Sequence, residues 1–350
     1  MEIQENTRAV YYIRFFIQMK KHLLLPIGIP LSLLLTCAVT NKESTLVKLE
    51  KTIELPHVQG RIDHLAINLK QQIMYIAAFG NNSVEVLDLK QGKVIHSIKN
   101  LAEPQGIIYI PESNSVFVAN GGNGECSIFN ADSFAKTDSL KLSGDADNVR
   151  YDAVTKKIYV GYGDGGIAIV DANTFKLISE IKFSGHPESF QLDNVGKNIY
   201  VNVPDKNEIK VISLDKNSVA SNWNLSGARS NFPMALDEAN HRLFIGCRHP
   251  SKMLVLDTQT GKTIFSVDIE SDVDDVFYDS NSKQVYLSCG SGYIDVFKQI
   301  DINNYSEDGK IATHNGARTS LFIPETNQLV VASPSGLSVK AQLLIYQIKK

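Results

Sequence analysis

Little in the 350-residue chain announces a function. It holds four cysteines and one tryptophan, too few thiols for a disulfide-built scaffold. Charge of one sign is missing, since 35 basic side chains stand against 38 acidic ones, which excludes a basic nucleic-acid coat and an acidic tail. A Walker loop, a GxSxG elbow, an HExxH pair and a CxxC pair are all absent from the region after residue 37, so none of the common nucleotide, hydrolase or zinc signatures applies. The uncharged run Leu23 to Leu35 is 13 residues long, short of the roughly 20 that span a bilayer as a helix. Pro26 and Pro30 weaken it further as a helix, and a polytopic membrane protein is excluded.

What is present at the N-terminus has the layout of an export segment. Lys20 and Lys21 precede the leucine-rich run and Cys37 follows it. Residues 19–37 are therefore read as a signal, and residues 1–18, before Met19, as an upstream extension. Leu34-Leu35-Thr36-Cys37 resembles a bacterial lipobox, which makes Cys37 the expected lipidation site; cleavage near Ala38 without lipid is the alternative. On either reading the protein is exported, to a bacterial periplasm or as a lipoprotein of the cell envelope, and touches membrane only through a lipid anchor. Residues 1–36 carry four basic and two acidic groups, so a net charge of −3 becomes −5 for the remainder. A mildly acidic chain is a poor binder of phosphate backbones, and no nucleic-acid partner is expected.

The strongest signal is periodic. Seven segments, IMYIAA, SVFVAN, KIYVGY, NIYVNV, RLFIGC, QVYLSC and QLVVAS, centre on Tyr75, Phe117, Tyr159, Tyr200, Phe244, Tyr286 and Val330, at spacings of 42, 42, 41, 44, 42 and 44. A period near 40 with several short strands per unit is the mark of a β-propeller. In each unit an apolar strand precedes the anchor, a third strand such as SVEVLDL follows a Gly/Asn-rich turn, and a weaker fourth strand follows. The seventh unit stops after its third strand, while LVKLEKTIEL (residues 46–55) lies unassigned ahead of the first. The expected fold is all-β: one seven-bladed propeller of four-stranded blades over residues 45–350, its ring closed by pairing that N-terminal strand with the last blade.

With IYVNV and MLVLDTQTGKT among its repeats, the chain resembles the YVTN-repeat family of β-propellers, which includes YncE-like exported bacterial proteins. The resemblance covers essentially everything after the signal. It implies the fold far more than an activity, because propellers host binding scaffolds, lactonases, lyases and oxidoreductases alike.

In a propeller the first residues of every inner strand meet at the central channel. Counting twelve back from each anchor gives Asp63, Gln105, Asp147, Glu188, Phe232, Asp274 and Arg318; the next position holds His64, Gly106, Asn148, Ser189, Pro233, Asp275 and Thr319. Two before the first set lie Arg61, Glu103, Asp145, His186, Ser230, Asp272 and Gly316. Spacers would resemble one another, yet here each blade has a private motif, RIDH, PQG, DADNVR, HPES, NFP, DVDD or ART. Crowded ionisable groups of both signs suit a ligand, a metal or catalysis. The expected funnel is Arg61, Asp63, His64, Gln105, Asp147, Asn148, Arg150, His186, Glu188, Asp274, Asp275 and Arg318. A structural ring of ion pairs and turn residues is the competing reading.

Loops between second and third strands add a rim of Tyr162, Arg248, His249 and Tyr293. Asp63, Asp147, Glu188 and Asp274 are candidate oxygen ligands for a divalent metal, the one cofactor the sequence suggests. Arg150, where sister positions are mostly apolar, is expected to need Asp147 or Glu188 as an anionic partner. Cys126, Cys247 and Cys289 are expected as free buried thiols, since equivalent points on neighbouring blades are too far apart to bridge. The leading expectation is a monomeric envelope protein that binds a small molecule or a protein partner in the funnel. The alternative is a lactonase-like hydrolase or lyase in the same place, with a carboxylate or His64 as general acid or base.

Overall fold

β-Branched and aromatic residues alternate through each repeat segment and fit a pleated, half-buried surface, while Gly, Asn and Asp break the chain between them. The computed structural model describes residues 47–337 and 339–349, and within these the chain forms seven separate four-stranded antiparallel sheets. Blade three is representative: Ala146–Asp152 innermost, then Lys157–Tyr162, Gly166–Asp171 and Leu177–Lys182 outermost. The protein is a seven-bladed β-propeller. Cys37 and the expected export segment lie outside the described residues. Among those described, no helix is long and apolar enough to cross a membrane.

Ring closure follows the expected route. The last blade takes Thr319–Ile323, Gln328–Ser333 and Gln342–Ile348 from the C-terminal end and Val47–Glu54 from the other end as its outer strand. Val47 lies opposite Ile348 and Glu54 opposite Gln342, with one bulge between Leu49 and Lys51. Ile53 and Leu55, 2% and 1% exposed, join Met74, Ile76, Val330 and Leu343 in a cluster that welds the first blade to the last. The pairing leaves the third strand of the last blade no open edge.

Register repeats with the sequence. Each anchor stands opposite the residue nine before it, from Ala66 opposite Tyr75 to Leu321 opposite Val330, and all seven anchors are buried. Three residues before each anchor the chain turns through a left-handed φ of 47° to 60°, at Gln72, Asn114, Lys156, Lys197, His241, Lys283 and Asn327. None of these is glycine, so the tight hairpin imposes a conformation that local preference alone would not choose. Trp223 lies on the outer strand Ser218–Asn224 and stacks on Tyr200 at 5.4 Å. Cys126, Cys247 and Cys289 are free and fully buried.

Candidate functional site

The funnel is built by one recurring backbone device. At the start of the inner strand in each of the first six blades, two residues oppose one on the second strand. In blade three, Ala146 pairs with Tyr162 and Val149 with Val160, so Asp147 and Asn148 share Gly161. The same register shift occurs at Gln105/Gly106, at Phe232/Pro233 and at Asp274/Asp275. In blades one and four the hydrogen bonds show it directly: Asp63 and His64 both bond Ala77, and Glu188 and Ser189 both bond Asn202. A bulge re-aims side chains and recurs beside functional sites. Here it lets both members of a doublet face the channel: Asp63 with His64, Asp147 with Asn148, Glu188 with Ser189 and Asp274 with Asp275 line one central chamber, joined by Arg61, Phe232 and Thr319. Gly106 is the exception for a steric reason. A Cβ there would lie 2.0 Å from the Asp147 carbonyl oxygen, so its missing side chain lets blade three approach.

The chamber has two chemically different halves. Toward blades one, six and seven, Asp63, Asp272 and Asp274 each have an arginine. Arg61 reaches Asp63 at 2.5 Å, and Arg318 donates to both oxygens of Asp272 at 2.8 and 2.9 Å and approaches Asp274 at 2.9 Å. Arg248 donates to Asp274 and to the Val273 carbonyl at 2.9 Å, with its guanidinium 3.9 Å over the Phe232 ring. His64 lies 2.7 Å from Asp63. Burial alone would lower the His64 pKa, but Asp63 outweighs it and the imidazole is pushed up to about 9.

Toward blades three and four the carboxylates lack such partners. Asp147 is 5% exposed and its Oδ1 has no hydrogen-bond partner among the described residues. Burial, reinforced by Asp147, pushes Glu188 up to about 8. His186 is held up to about 9 by the Asp147 carboxylate despite burial, and its Nδ1 lies 2.7 Å from the Gly163 carbonyl oxygen. On blade six, Asp275 has no arginine either, and burial raises it to about 7, although His64 and the Ser320 amide 2.7 Å away favour its charged form. Carboxyl groups that titrate near neutrality beside imidazoles are the chemistry expected of a binding or proton-transfer site. Asp147, His186 and Glu188 each offer a ligand atom within 4.8 Å of the others, so they could hold a metal ion.

Several expected residues are placed differently. Tyr162 is not on the rim; it is 2% exposed and its hydroxyl donates to Glu180 at 2.5 Å inside blade three. Arg248 lies near the end of the strand Arg242–His249 and reaches into the funnel, while His249 stays exposed beside Ser230 at 3.1 Å and Tyr293 opens the third strand of blade six half-buried. Gln105 donates to Asp145 at 2.9 Å at the mouth. Among the described residues Arg150 makes no ion pair within 4 Å. It donates to the Val149 carbonyl at 2.9 Å, approaches Ser189 at 3.3 Å, and sits over the Phe190 ring at 5.4 Å. The aromatic face and carbonyl take the place of the expected carboxylate, and burial draws the guanidinium's pKa down. His186, not Asp63 or Asp274, is the group that clusters with Asp147 and Glu188. The distribution of arginines explains it: Asp63 and Asp274 are taken up by guanidinium groups. Ser189, Phe232 and Thr319 line the chamber without having been among the expected site residues; their places in the doublet positions were the available signal.

No family model matches the chain, and no curated protein matches it. Solved structures do. A propeller chain in a crystal structure of the mitotic checkpoint complex superposes with a TM-score of 0.74 at 14% identity, covering 99% of this chain and 100% of that one. A chain of the hydrazine synthase of Kuenenia stuttgartiensis gives 0.71 at 13% identity, covering 83% and 98%. At such identities the likeness shows the seven-bladed fold and leaves function to the site.

Proposed function

We propose that the protein is an exported cell-envelope propeller that binds a small polar ligand through the funnel. The observation that carries this is the convergence of bulge doublets from four blades on one chamber whose blade-three and blade-four carboxylates are left without arginine partners. A purely structural ring would pair its charges, since an unpaired buried carboxylate is costly. The chamber has room for only about 20 Å³, the space of one water or ion, so a ligand would insert one polar group and rest its bulk on the mouth. The lysine pair and apolar run at residues 20–35 support export, and the repeat's resemblance to YncE-like proteins agrees with it.

A metal-assisted hydrolase or lyase is the second reading, favoured by the proximity of Asp147, His186 and Glu188. A thermal-shift screen with sugars, lactones, dicarboxylates and short peptides tests the first, because a ligand bound only by the native state raises the melting temperature. We expect one class to do so, and Phe232→Ala or Asp275→Asn to abolish the rise. A shift that survives both substitutions, or no shift with any class, would overturn the assignment. Turnover of the stabilising compound would move the conclusion to the enzyme.

A further inference from the structure

Blade four brings its ligating groups to blade three through a proline. In His186-Pro187-Glu188 the ring fixes the backbone between the two functional side chains, and Pro187 packs on Gly161, where a Cβ would stand 3.4 Å from the proline ring. Gly161 is the residue that the Asp147/Asn148 bulge straddles, so one contact sets His186 and Glu188 beside Asp147.

Three independent features of this corner fit a cation. The buried Asp147 Oδ1 has no partner, an arrangement that costs stability unless something is meant to fill it. His186 Nδ1 lies 2.7 Å from the Gly163 carbonyl oxygen; donating its proton there leaves Nε2 facing the carboxylates, where a cation would bind by displacing the Nε2 proton. A carbonyl acceptor on the remote ring nitrogen is the usual support for a metal-ligating histidine. Nε2 stands 3.9 Å from Asp147 Oδ2 and 3.8 Å from Asp145 Oδ2, too far for a hydrogen bond. An ion bonded at about 2.0–2.2 Å to a nitrogen and an oxygen spans such a gap.

Resting on the reading of the funnel as a binding site, we propose that Asp147, His186 Nε2 and Glu188 form a three-ligand site for a transition-metal dication such as Mn²⁺, Co²⁺ or Zn²⁺, with its open coordination positions toward the chamber and available to an oxygen of the bound ligand. The imidazole and the small number of carboxylates disfavour Ca²⁺, which takes 6–8 oxygens, and Mg²⁺, which keeps an all-oxygen octahedron. The cation site lies in the arginine-poor half of the chamber, so a ligand anion could meet the metal on one side and Arg61 on the other.

The test is titration of chelator-treated full-length protein with CoCl₂, followed by calorimetry and by visible absorption, with MnCl₂, MgCl₂ and CaCl₂ in parallel. One Co²⁺ per chain is expected, with affinity at least 100-fold weaker in both D147N and H186Q and changed less than threefold in H241Q, which removes an exposed imidazole on a hairpin turn where Gln72 occupies the sister position. D147N and E188Q take a charge from a crowd of like charges, so their melting temperatures should equal or exceed the parent's, separating loss of metal from loss of fold. Absence of stoichiometric Co²⁺ and Mn²⁺ binding, binding unaltered by D147N and H186Q, or tighter binding of Ca²⁺ or Mg²⁺ would each overturn the proposal. Metal failure with an organic ligand still stabilising the parent protein, and not F232A, would remove the metal and keep the binding function. Metal binding with no organic ligand found would do the reverse.

Discussion

Asp275→Asn should stabilise the protein, and only above acidic pH. Asp275 lines the chamber with no arginine of its own, and burial raises its pKa from 3.8 to about 7. A folded-state pKa above the unfolded value means the native state holds the proton more tightly, so stability is lost as pH rises from about 3.8 through about 7. At 1.36 kcal/mol per pKa unit that rise corresponds to about 4 kcal/mol of cost at pH 8. Asparagine keeps the shape, and its side-chain oxygen can still accept the Ser320 amide now 2.7 Å from Asp275, but it has no charge to bury. The difference between D275N and the parent should therefore be near zero at pH 4 and grow to as much as about 4 kcal/mol by pH 8. Urea unfolding at pH 4.5, 6, 7 and 8 reads this as a midpoint gap that widens with pH. A variant less stable than the parent at pH 8, or a gap independent of pH, would refute the claim that ionised Asp275 is a cost of the folded state. Retaining so costly a carboxylate is what a functional site does, since activity is often bought with local instability.

The closing strand should matter through its inward side chain: Ile53→Ala should cost about 2–5 kcal/mol, whereas Leu49→Ala, at 46% exposure on the same strand, should stay within about 0.5 kcal/mol, and calorimetry that finds them equal would remove ring closure as the source of stability. Arg242 is 6% exposed, pairs with Asp257 at 2.8 Å and donates to the Ile302 carbonyl at 2.8 Å in the neighbouring blade; Arg242→Met should cost about 1–3 kcal/mol by leaving that carbonyl without its donor, read by denaturant midpoint. In a C37S background, burial, which pushes the Cys247 thiol up to about 12 and raises Cys126 and Cys289 as well, should keep all three thiols silent to a thiol reagent until the protein is unfolded, when three react; fast labelling of the native state would contradict the burial.

The fold was legible because each blade repeats one instruction. Anchors about 42 residues apart, a residue nine before each on the inner strand, and a missing outer strand at one end matched by a spare strand at the other sufficed to specify seven blades and the closure. The same count back from the anchors reached the chamber-lining doublets, because a constant offset in sequence becomes a constant position around the ring. It also misplaced Tyr162 on the rim and gave Arg150 a carboxylate. Repeat position fixes where a Cα lies, whereas a side chain's direction and partner depend on the neighbouring blade. Phe190 under Arg150, Glu180 beside Tyr162 and Gly161 beneath Pro187 come from other strands or blades, which no spacing rule predicts.

Counted along the chain, the charges nearly balance and say only that the protein is mildly acidic. Folding sorts them. The arginines at 61, 248 and 318 gather on the carboxylates of blades one and six, and Asp147 and Glu188 are left facing His186 without them. Periodicity determined the ring and the address of its funnel, since strand order and turn length are local properties. Which carboxylates are neutralised and which stay open to a ligand was decided only in three dimensions, because charge pairing acts across a few ångströms of space between side chains of different blades, as with Arg318 and Asp272, 46 positions apart.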